Sequence, residues 1–258
     1  MRNHSIILSM TTWPPRFSSA RVVMADIIRQ RKQDGLEDAV HCVLVLSEEE
    51  VGTEAADSLI SYMEEIGVEV IIDRGNIMSH KKLIPTLEAY PDAAVLVVDD
   101  DNIQAHGWLR TFVQDHKAHP HDIIFGQGSS TVYVCDGKIQ EKRDTACMFM
   151  QLRGEVVEHL KPASGAAGTL YPVHTFTDSR FFDRELLMRV SPTSDETWQY
   201  AFAKIAGKTF RLLSACNIPS SASSNQMVAL YNKNRDIYSL IHNSIASAIP
   251  EYSPELLS

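Results

Sequence analysis

Two features are scarce in this sequence: long apolar runs and cysteines. No stretch approaches the roughly 18 consecutive apolar residues of a membrane-spanning helix, and the apolar run Ile6 to Leu8 is too short for the core of a signal peptide. The chain has four cysteines without the close pairs that bind zinc: Cys42, Cys135, Cys147 and Cys216. We therefore expect a cytoplasmic protein with free thiols and at most peripheral membrane contact.

Positive charge is also in short supply. The 24 lysines and arginines are outnumbered by 33 aspartates and glutamates, and the formal net charge is -9 at pH 7. Nucleic-acid binding needs a basic face, so we expect no nucleic-acid partner. A phosphorylated ligand could bind only where a metal ion, lysines or helix N-termini make the site locally positive.

A glycine-rich phosphate loop is missing as well. The turn after the first apolar segment runs from Met10 to Arg16 and reads MTTWPPR, which excludes a P-loop and a dinucleotide-binding fingerprint. Its hydroxyls, on Thr11 and Thr12, and its arginine instead suit the base, ribose or phosphates of a nucleotide.

What is present is an alternation of apolar strands and amphipathic helices. Strands are predicted at 5–10, 41–46, 68–72 and 94–98, separated by helices at 17–32, between 47 and 66, and at 79–90. The second half is predicted to contain an extended segment at 123–134, a small-residue loop at 163–172, helices at 179–189 and 195–206, a strand at 209–213 and a last amphipathic helix near 237–248. This order predicts an α/β fold with a mostly parallel central sheet and helices on both faces.

Three consecutive aspartates, Asp99 to Asp101, follow the apolar segment that ends at Val98. Residues two apart on a strand point the same way, so Asp99 and Asp101 are predicted to converge on one ligand. Mg²⁺ or Mn²⁺ would accept such oxygens and keep positions for phosphates. A solvated acidic turn is the alternative, but the carboxyl end of a strand is where α/β sheets bind ligands, which favours the metal site.

Two lysines, Lys81 and Lys82, lie in the predicted first turn of the helix that Ser79 would cap. Cations at a helix N-terminus cost about 0.3–1 kcal/mol each. An anionic ligand would reverse that cost, because the lysines and the free N–H groups would both face it. The pattern indicates a phosphate site, unless the lysines lie on the outer face of the helix.

Another acidic residue, Asp195, begins the helix predicted at 195–206. Thr193 and Glu196 fit a capping box, which would occupy Glu196 and leave Asp195 in the first turn. Asp195 is then either an aspartate that stabilises the helix dipole or a carboxylate that faces a cleft.

Taken in order, these features resemble the bacterial glycosyltransferases with the GT-A fold that build lipopolysaccharide and capsular polysaccharide. The matching segments lie between residues 5 and 236 and read SMTTWPPRF, SHKKLIPTLEAYPDAAVLVVDDDNI, GAAGTLYP, PTSDETW and YNKNRD. The resemblance implies one GT-A domain over 1–258, with a nucleotide-binding half at about 1–103 and an acceptor-binding half with the C-terminal helix at about 104–258. It also implies transfer of a sugar from a nucleotide-diphosphate donor, in the first place a UDP-sugar, to a hydroxyl of a saccharide or lipid-linked saccharide.

The resemblance assigns roles to residues. Asp99 and Asp101 would hold Mn²⁺ or Mg²⁺ on the donor diphosphate, and Asp99 or Asp100 would touch the ribose. The nucleotide-binding residues would further include Thr11, Thr12, Arg16, Lys81 and Lys82. The small-residue loop would let donor sugar and acceptor approach closely through Ser164, Gly165 and Gly168. Asp195 would be the general base of a transfer that inverts the anomeric centre, because the metal on the leaving diphosphate makes a protein acid unnecessary.

The chain also departs from the family pattern. Many relatives read Gly-Pro-Tyr or similar where this chain has Met78-Ser79-His80, and they often carry a second glycine where it has Ala166-Ala167. Donor and acceptor preferences are expected to differ accordingly. A third protein ligand for the metal is left open among His174, Asn232, Asn234 and Asp236. Three histidines in a polar connection are expected to form a surface loop and not a metal site: His116, His119 and His121.

Two other functions stay in view. A phosphatase of the haloacid-dehalogenase type also places Asp-X-Asp after an apolar strand, although usually near the N-terminus and followed by Gly-Thr or similar. A sugar nucleotidyltransferase would need a glycine-rich N-terminal loop, which is absent. A nucleotide-sugar-binding protein without turnover is the remaining alternative, and hydrolysis of a nucleotide-sugar would distinguish it from an enzyme.

Overall fold

The computed structural model describes residues 5–143, 152–163, 165–215, 220–221 and 237–257. Several residues of the sequence predictions lie outside these ranges: Cys147, Ser164, Cys216, Asn232, Asn234 and Asp236. The strands are β1 (Ile6–Thr11), β2 (Val40–Ser47), β3 (Glu69–Asp73), β4 (Ala94–Val98), β5 (Asn102–Ile103), β6 (Ile123–Phe125), β7 (Gly128–Cys135), β8 (Lys138–Arg143), β9 (Leu160–Pro162), β10 (Thr169–Tyr171), β11 (Phe210–Leu212) and β12 (Ser220–Ser221). The α-helices are α1 (Phe17–Gln33), α2 (Glu54–Glu65), α3 (Ile84–Ala89), α4 (Trp108–Ala118), α5 (Arg184–Val190), α6 (Asp195–Ile205) and α7 (Tyr238–Ala248).

A seven-stranded sheet forms the centre of the molecule, in the order β11-β6-β10-β4-β1-β2-β3. Strands β4, β1, β2 and β3 are joined by parallel ladders, as are β6 and β11. Strand β10 runs antiparallel to both of its neighbours, β4 and β6. The predicted α/β fold with a mostly parallel central sheet is therefore confirmed.

The sheet is covered on both faces, and β4 shows this most clearly. Val95 and Val97 pack into a core that includes residues of α3, α5, α6 and α7. Leu96 and Val98 point the other way, into a core shared with α1, α2 and α4. A strand buried on both faces must be apolar throughout, which explains the unbroken run from Ala94 to Val98.

The helix predicted at 79–90 is divided in two. Met78–Lys82 forms a 3₁₀ helix, and α3 begins only at Ile84. Ser79 is not an N-cap, so the predicted helix start was wrong. Pro85 lies in the first turn of α3, where its missing N–H and its ring prevent the helix from continuing backwards. The lysines therefore end a 3₁₀ turn, and the helix-dipole argument for a phosphate site does not apply to them.

The second half contains strands that the sequence predictions missed. The segment predicted as extended at 123–134 becomes β6 and β7, and β8 pairs with β7 through a tight hairpin. Its two turn residues, Asp136 and Gly137, have φ values of 51° and 68°, as a turn that matches the twist of its strands requires. Strand β10 lies inside the predicted loop at 163–172, where three residues are too few to show a periodicity.

Two of the four cysteines lie in the described ranges. Cys42 is buried, Cys135 is exposed, and both are free thiols. None of the helices in the described ranges combines the length and the apolar character needed to cross a bilayer.

Candidate functional site

The site lies where β1 and β4 end side by side. The two strands are neighbours in a parallel ladder, so the segments that follow Thr11 and Val98 leave the same edge of the sheet. This edge carries the carboxyl ends of the parallel strands, which is where open α/β sheets bind ligands. The 3₁₀ turn after β3 and the start of α6 complete the site, as their side-chain contacts show.

Asp100 joins the first loop to the aspartate run. Its Oδ2 accepts a hydrogen bond from Thr12 Oγ1 at 2.6 Å, and its Oδ1 accepts one from Arg16 at 2.8 Å. Burial raises the pKa of Asp100, although Thr12 and Arg16 act to lower it. Both carboxylate oxygens of Asp100 are therefore already bound by the loop that was predicted to line the nucleotide.

Asp99 and Asp101 do not point to a single protein partner. Asp101 lies 3.1 Å from Arg16, whereas Asp99 lies 2.6 Å from Lys82. The prediction that they share a direction assumed that the strand continues, but β4 ends at Val98 and the aspartates form a turn. The two carboxylates are nevertheless close enough to interact: burial first, and then Asp101 and Asp195, raise the pKa of Asp99 to about 6.

Lys82 links Asp195 to the three consecutive aspartates, Asp99 to Asp101. Its Nζ lies 2.6 Å from Asp99 Oδ1 and 3.1 Å from Asp195 Oδ2. Burial acts to lower the pKa of Lys82, but the two carboxylates outweigh it and raise that pKa, so the side chain carries a positive charge. The structure thus places the predicted base beside the predicted metal-binding residues.

Lys81 is not brought to the aspartates. Its ammonium binds the carboxylate of Glu50, which also accepts a hydrogen bond from the Ser47 N–H at 2.8 Å. Burial lowers the pKa of Lys81, although Glu50 acts to raise it. Lys81 ties the 3₁₀ turn to the end of β2, so the structure separates two lysines that the sequence analysis treated alike.

Thr11 is likewise engaged with the protein itself. Its hydroxyl donates to the carbonyl oxygen of Val45 at 2.8 Å and links the ends of β1 and β2. Of the two threonines in this loop, only Thr12 binds an aspartate of the run.

The small-residue loop packs against the aspartate run. The Asp99 N–H donates to the carbonyl oxygen of Gly165 at 3.0 Å, and a Cβ at position 165 would lie 2.2 Å from Asp99 Oδ1. Gly168 has a φ of +84°, and a Cβ there would lie 2.6 Å from the Trp108 ring. Glycine is required at both positions so that the loop backbone can approach the site.

The residues that hold this loop were not predicted from the sequence. Trp108 Nε1 donates to the carbonyl oxygen of Ala167 at 2.8 Å, and Gln104 Nε2 donates to that of Ala166 at 3.2 Å. Gly126 also borders the loop, because a Cβ there would lie 2.1 Å from the Ala167 carbonyl oxygen. Its interruption of an extended segment was visible in the sequence, but its partner was not.

The start of α6 differs from the prediction. The N-cap is Ser194, so the capping box of Thr193 and Glu196 was wrong. The Ser194 hydroxyl lies 2.7 Å from Thr197 Oγ1, and Glu196 points toward Lys161 at 3.8 Å. Asp195 is the first helical residue as predicted, and its Oδ2 also accepts a weak hydrogen bond from Gln199 at 3.4 Å.

His80 was not singled out from the sequence, yet it fastens the 3₁₀ turn to the loop before α6. Its Nε2 lies 2.9 Å from the carbonyl oxygen of Ser191, which can only accept, so Nε2 carries the proton. Burial lowers the pKa of His80 to about 4, so the ring is neutral at physiological pH. Its position next to the lysines was the only sequence signal for this role.

The residues of the site partly fit a divalent metal. Among the described residues no group of three potential ligands from His, Cys, Asp and Glu is assembled, and this includes His174 and the histidines near Pro120. Mg²⁺ and Mn²⁺ are commonly held by one or two carboxylates and completed by phosphates and water, however, and aspartate oxygens are suitable donors. Buried polar atoms of Arg16 (Nε), Ser79 (Oγ) and His80 (Nδ1) have no hydrogen-bond partner in the described structure, which is consistent with a polar ligand beside them.

Comparison with known proteins adds evidence about the fold. No family model matches the sequence, and no curated protein matches it. Among solved structures, residues 1–349 of S. aureus TarS superpose with a TM-score of 0.59 at 15% identity over 94% of this chain and 65% of that one. The mannosyltransferase PcManGT from Pyrobaculum calidifontis, in complex with GDP-Man and Mn²⁺, gives a TM-score of 0.57 at 16% identity over 98% of this chain and 68% of that one.

A third structure, TarS 1–349 in complex with UDP-GlcNAc, gives a TM-score of 0.52 at 13% identity over 94% of this chain and 66% of that one. The chain therefore spans slightly less than two thirds of the TarS segment. At these identities the similarity establishes the fold alone, which is a GT-A fold.

Proposed function

We propose that this protein is a glycosyltransferase that moves a sugar from a nucleotide-diphosphate donor to an acceptor hydroxyl. One observation carries the proposal: Lys82 and Arg16 gather Asp99, Asp100, Asp101 and Asp195 at the carboxyl edge of a GT-A sheet. The edge is where this type of sheet binds ligands, and the acidic cluster supplies both metal-binding oxygens and a base.

The charges of the cluster support a divalent cation. Among the described residues, Arg16 and Lys82 bring four carboxylates close together in a largely buried site. Asp101 and Asp195 act to raise the pKa of Asp99, and a divalent ion between such carboxylates would reduce their repulsion. We propose that Asp99 and Asp101 hold Mn²⁺ or Mg²⁺, which when bound stabilises the charge of the departing diphosphate.

Asp195 is the proposed general base. It lies at the N-terminus of α6 with a side chain only 5% exposed, 3.1 Å from Lys82, and it acts to raise the pKa of Asp99. A carboxylate there can remove the proton of an acceptor hydroxyl while the hydroxyl oxygen attacks the sugar. The sequence resemblance supports an inverting transfer.

The donor and the biological setting belong to the same proposal. TarS has been solved with UDP-GlcNAc, and PcManGT with GDP-Man. For this chain we propose a UDP-sugar donor, a saccharide or lipid-linked acceptor, and a role in bacterial surface polysaccharide synthesis in the cytoplasm. These assignments rest on the motifs in the sequence.

The test is a thermal-shift screen of UDP-, GDP-, CMP- and dTDP-sugars, each with and without Mn²⁺, followed by hydrolysis and transfer assays. One donor at 100 times its Kd should stabilise the fold by about 2.7 kcal/mol, and only with the metal. The Asp101→Asn variant should keep its melting temperature without ligand and lose the metal-dependent stabilisation.

Three results would contradict the proposal. Phosphate release from p-nitrophenyl phosphate would point to the phosphatase. Binding without hydrolysis or transfer would leave a nucleotide-sugar-binding protein. Full activity in excess chelator would show that transfer does not require a metal ion.

A further inference from the structure

The 3₁₀ turn Met78–Lys82 connects three parts of the site through three consecutive residues. His80 binds the Ser191 carbonyl before α6, Lys81 binds Glu50 after β2, and Lys82 binds both Asp99 and Asp195. Successive side chains of a 3₁₀ helix point about 120° apart, because the helix has about three residues per turn. A short turn can therefore be fixed from three sides, which holds Lys82 in one place.

Lys82 itself is directed away from solvent. Its side chain is 5% exposed, as is that of Asp195, and its ammonium lies within hydrogen-bond distance of a carboxylate oxygen on each side. The Asp195 oxygen that faces Lys82, Oδ2, also accepts from Gln199, whose Oε1 in turn accepts from the Tyr171 hydroxyl at 2.7 Å. These contacts restrain the rotation of the Asp195 carboxylate.

We propose that Lys82 is a positioning residue for Asp195 and does not serve as a donor phosphate ligand. It holds one oxygen of the base beside the metal-binding edge, at the end of a turn anchored by His80 and Lys81. This inference rests on the proposed function, because it takes Asp195 to be the base. It differs from the expectation drawn from the sequence, in which Lys82 and Lys81 together bind phosphate.

The two roles predict different kinetics. If Lys82 positions the base, Lys82→Met should lower kcat by about 10²-fold, the cost of a displacement of roughly 1 Å in a reacting group. The KM for the donor should stay nearly constant. If Lys82 binds phosphate, the donor KM should rise instead, since a ligand contact would be lost.

A double-mutant cycle of Lys82→Met and Asp195→Asn decides the question. We expect Lys82→Met to cost little further turnover in the Asp195→Asn background, because the group it positions is already gone. The same cycle is measured by thermal unfolding, where the shift in Tm of the double variant should be smaller than the sum of the single shifts. Lys142→Met is the control: it also removes an ammonium, but from an exposed position outside the turn, so its small Tm shift should add to that of Asp195→Asn.

Additive losses of turnover, or a raised donor KM with unchanged kcat, would overturn the inference. Additive Tm shifts would show that Lys82 does not hold Asp195. Wild-type protein without transfer from any donor would instead contradict the proposed function, and the unfolding cycle would still report on the Lys82–Asp195 contact. Should Lys82→Met not fold, Lys82→Gln keeps N–H donors at this position and replaces it in both cycles.

Discussion

Two buried lysines lie near the first turn of α6, each between two carboxylates. Lys82 contacts Asp99 and Asp195, and Lys161 lies 3.2 Å from Glu141 and 3.8 Å from Glu196. Asp195 and Glu196 are adjacent in the chain, so one helix start serves both lysines. The two clusters nevertheless differ in how far their acids are exposed and in which other groups of the fold bind those acids.

The Lys161 cluster consists of Lys161, Glu141 and Glu196, and it is bound to other side chains of the fold. Glu141 is 2% exposed and also accepts hydrogen bonds from Ser130 and from His242, whose other ring nitrogen lies 2.6 Å from the Tyr252 hydroxyl. Burial acts to raise the pKa of Glu141, but Lys161 and the hydrogen bonds lower it to about 2. Every charge here has partners within the fold, which ties β8 and β9 to α6 and α7.

The Lys82 cluster consists of Lys82, Asp99 and Asp195, and one of its acids is accessible to solvent. Asp99 remains 30% exposed, and its pKa is raised because burial and neighbouring carboxylates outweigh the single lysine. The comparison teaches that a buried lysine between two acids does not by itself mark a functional site. The useful difference is a carboxylate beside the buried lysine that is exposed enough for a ligand or a metal to reach it.

The largest expected effect is on turnover, and it should differ between the adjacent acids Asp195 and Glu196. Asp195→Asn should lower turnover by roughly 10²–10⁴-fold, the usual range for a lost general base, while donor affinity is retained. Glu196→Gln should keep most of the turnover, because Glu196 faces the Lys161 cluster. Initial transfer rates beside donor calorimetry measure both variants. Equal losses of turnover, or a product with retained anomeric configuration, would show that Asp195 is not the general base of an inverting transfer.

A second variant tests whether the Lys161 cluster is structural. Lys161→Met should lower the free energy of unfolding by about 3–5 kcal/mol, because it leaves buried carboxylates without their cation. Urea denaturation at pH 7 measures the change, and the exposed neighbour Lys142 supplies the control, since Lys142→Met should stay within about 0.5 kcal/mol. Similar losses in the two variants would show that the Lys161 cluster contributes little to stability.

A smaller effect is expected on the pH dependence of the free energy of unfolding, and it arises from His80. The pKa of the unfolded histidine is about 6.5, and the folded value is lowered to about 4. The unfolded state therefore binds more protons below pH 6.5, and His80 reduces stability progressively as the pH falls toward 4, by about 2–3 kcal/mol in all. His80→Gln, which keeps an N–H donor for Ser191, should lose less stability over this range in urea titrations. Parallel loss in wild type and variant would exclude a lowered pKa at His80.

Much of the first half was predictable because its signals are local. The helix α1 buries apolar residues at helical spacing, and β1, β2 and β4 are almost entirely buried runs. The predicted bounds of these elements differ from the observed ones by only a few residues. The second half was predicted less well because β10 has three residues and β8 is recognisable mainly through its hairpin turn. The break at Pro85 had a local signal too, and the prediction of one continuous helix overlooked it.

The sequence by itself determined the class of fold, and it predicted the edge of the sheet and the acids Asp99, Asp100, Asp101 and Asp195 of the candidate site. Only the tertiary structure decided which cation meets which acid. Lys81 and Lys82 are neighbours of the same type, yet one binds Glu50 and the other binds Asp99 and Asp195. His80 meets Ser191 at a separation of 111 residues. Such contacts depend on how the chain returns to the edge of the sheet. No local pattern of residues specifies which residues meet across so long a stretch of sequence.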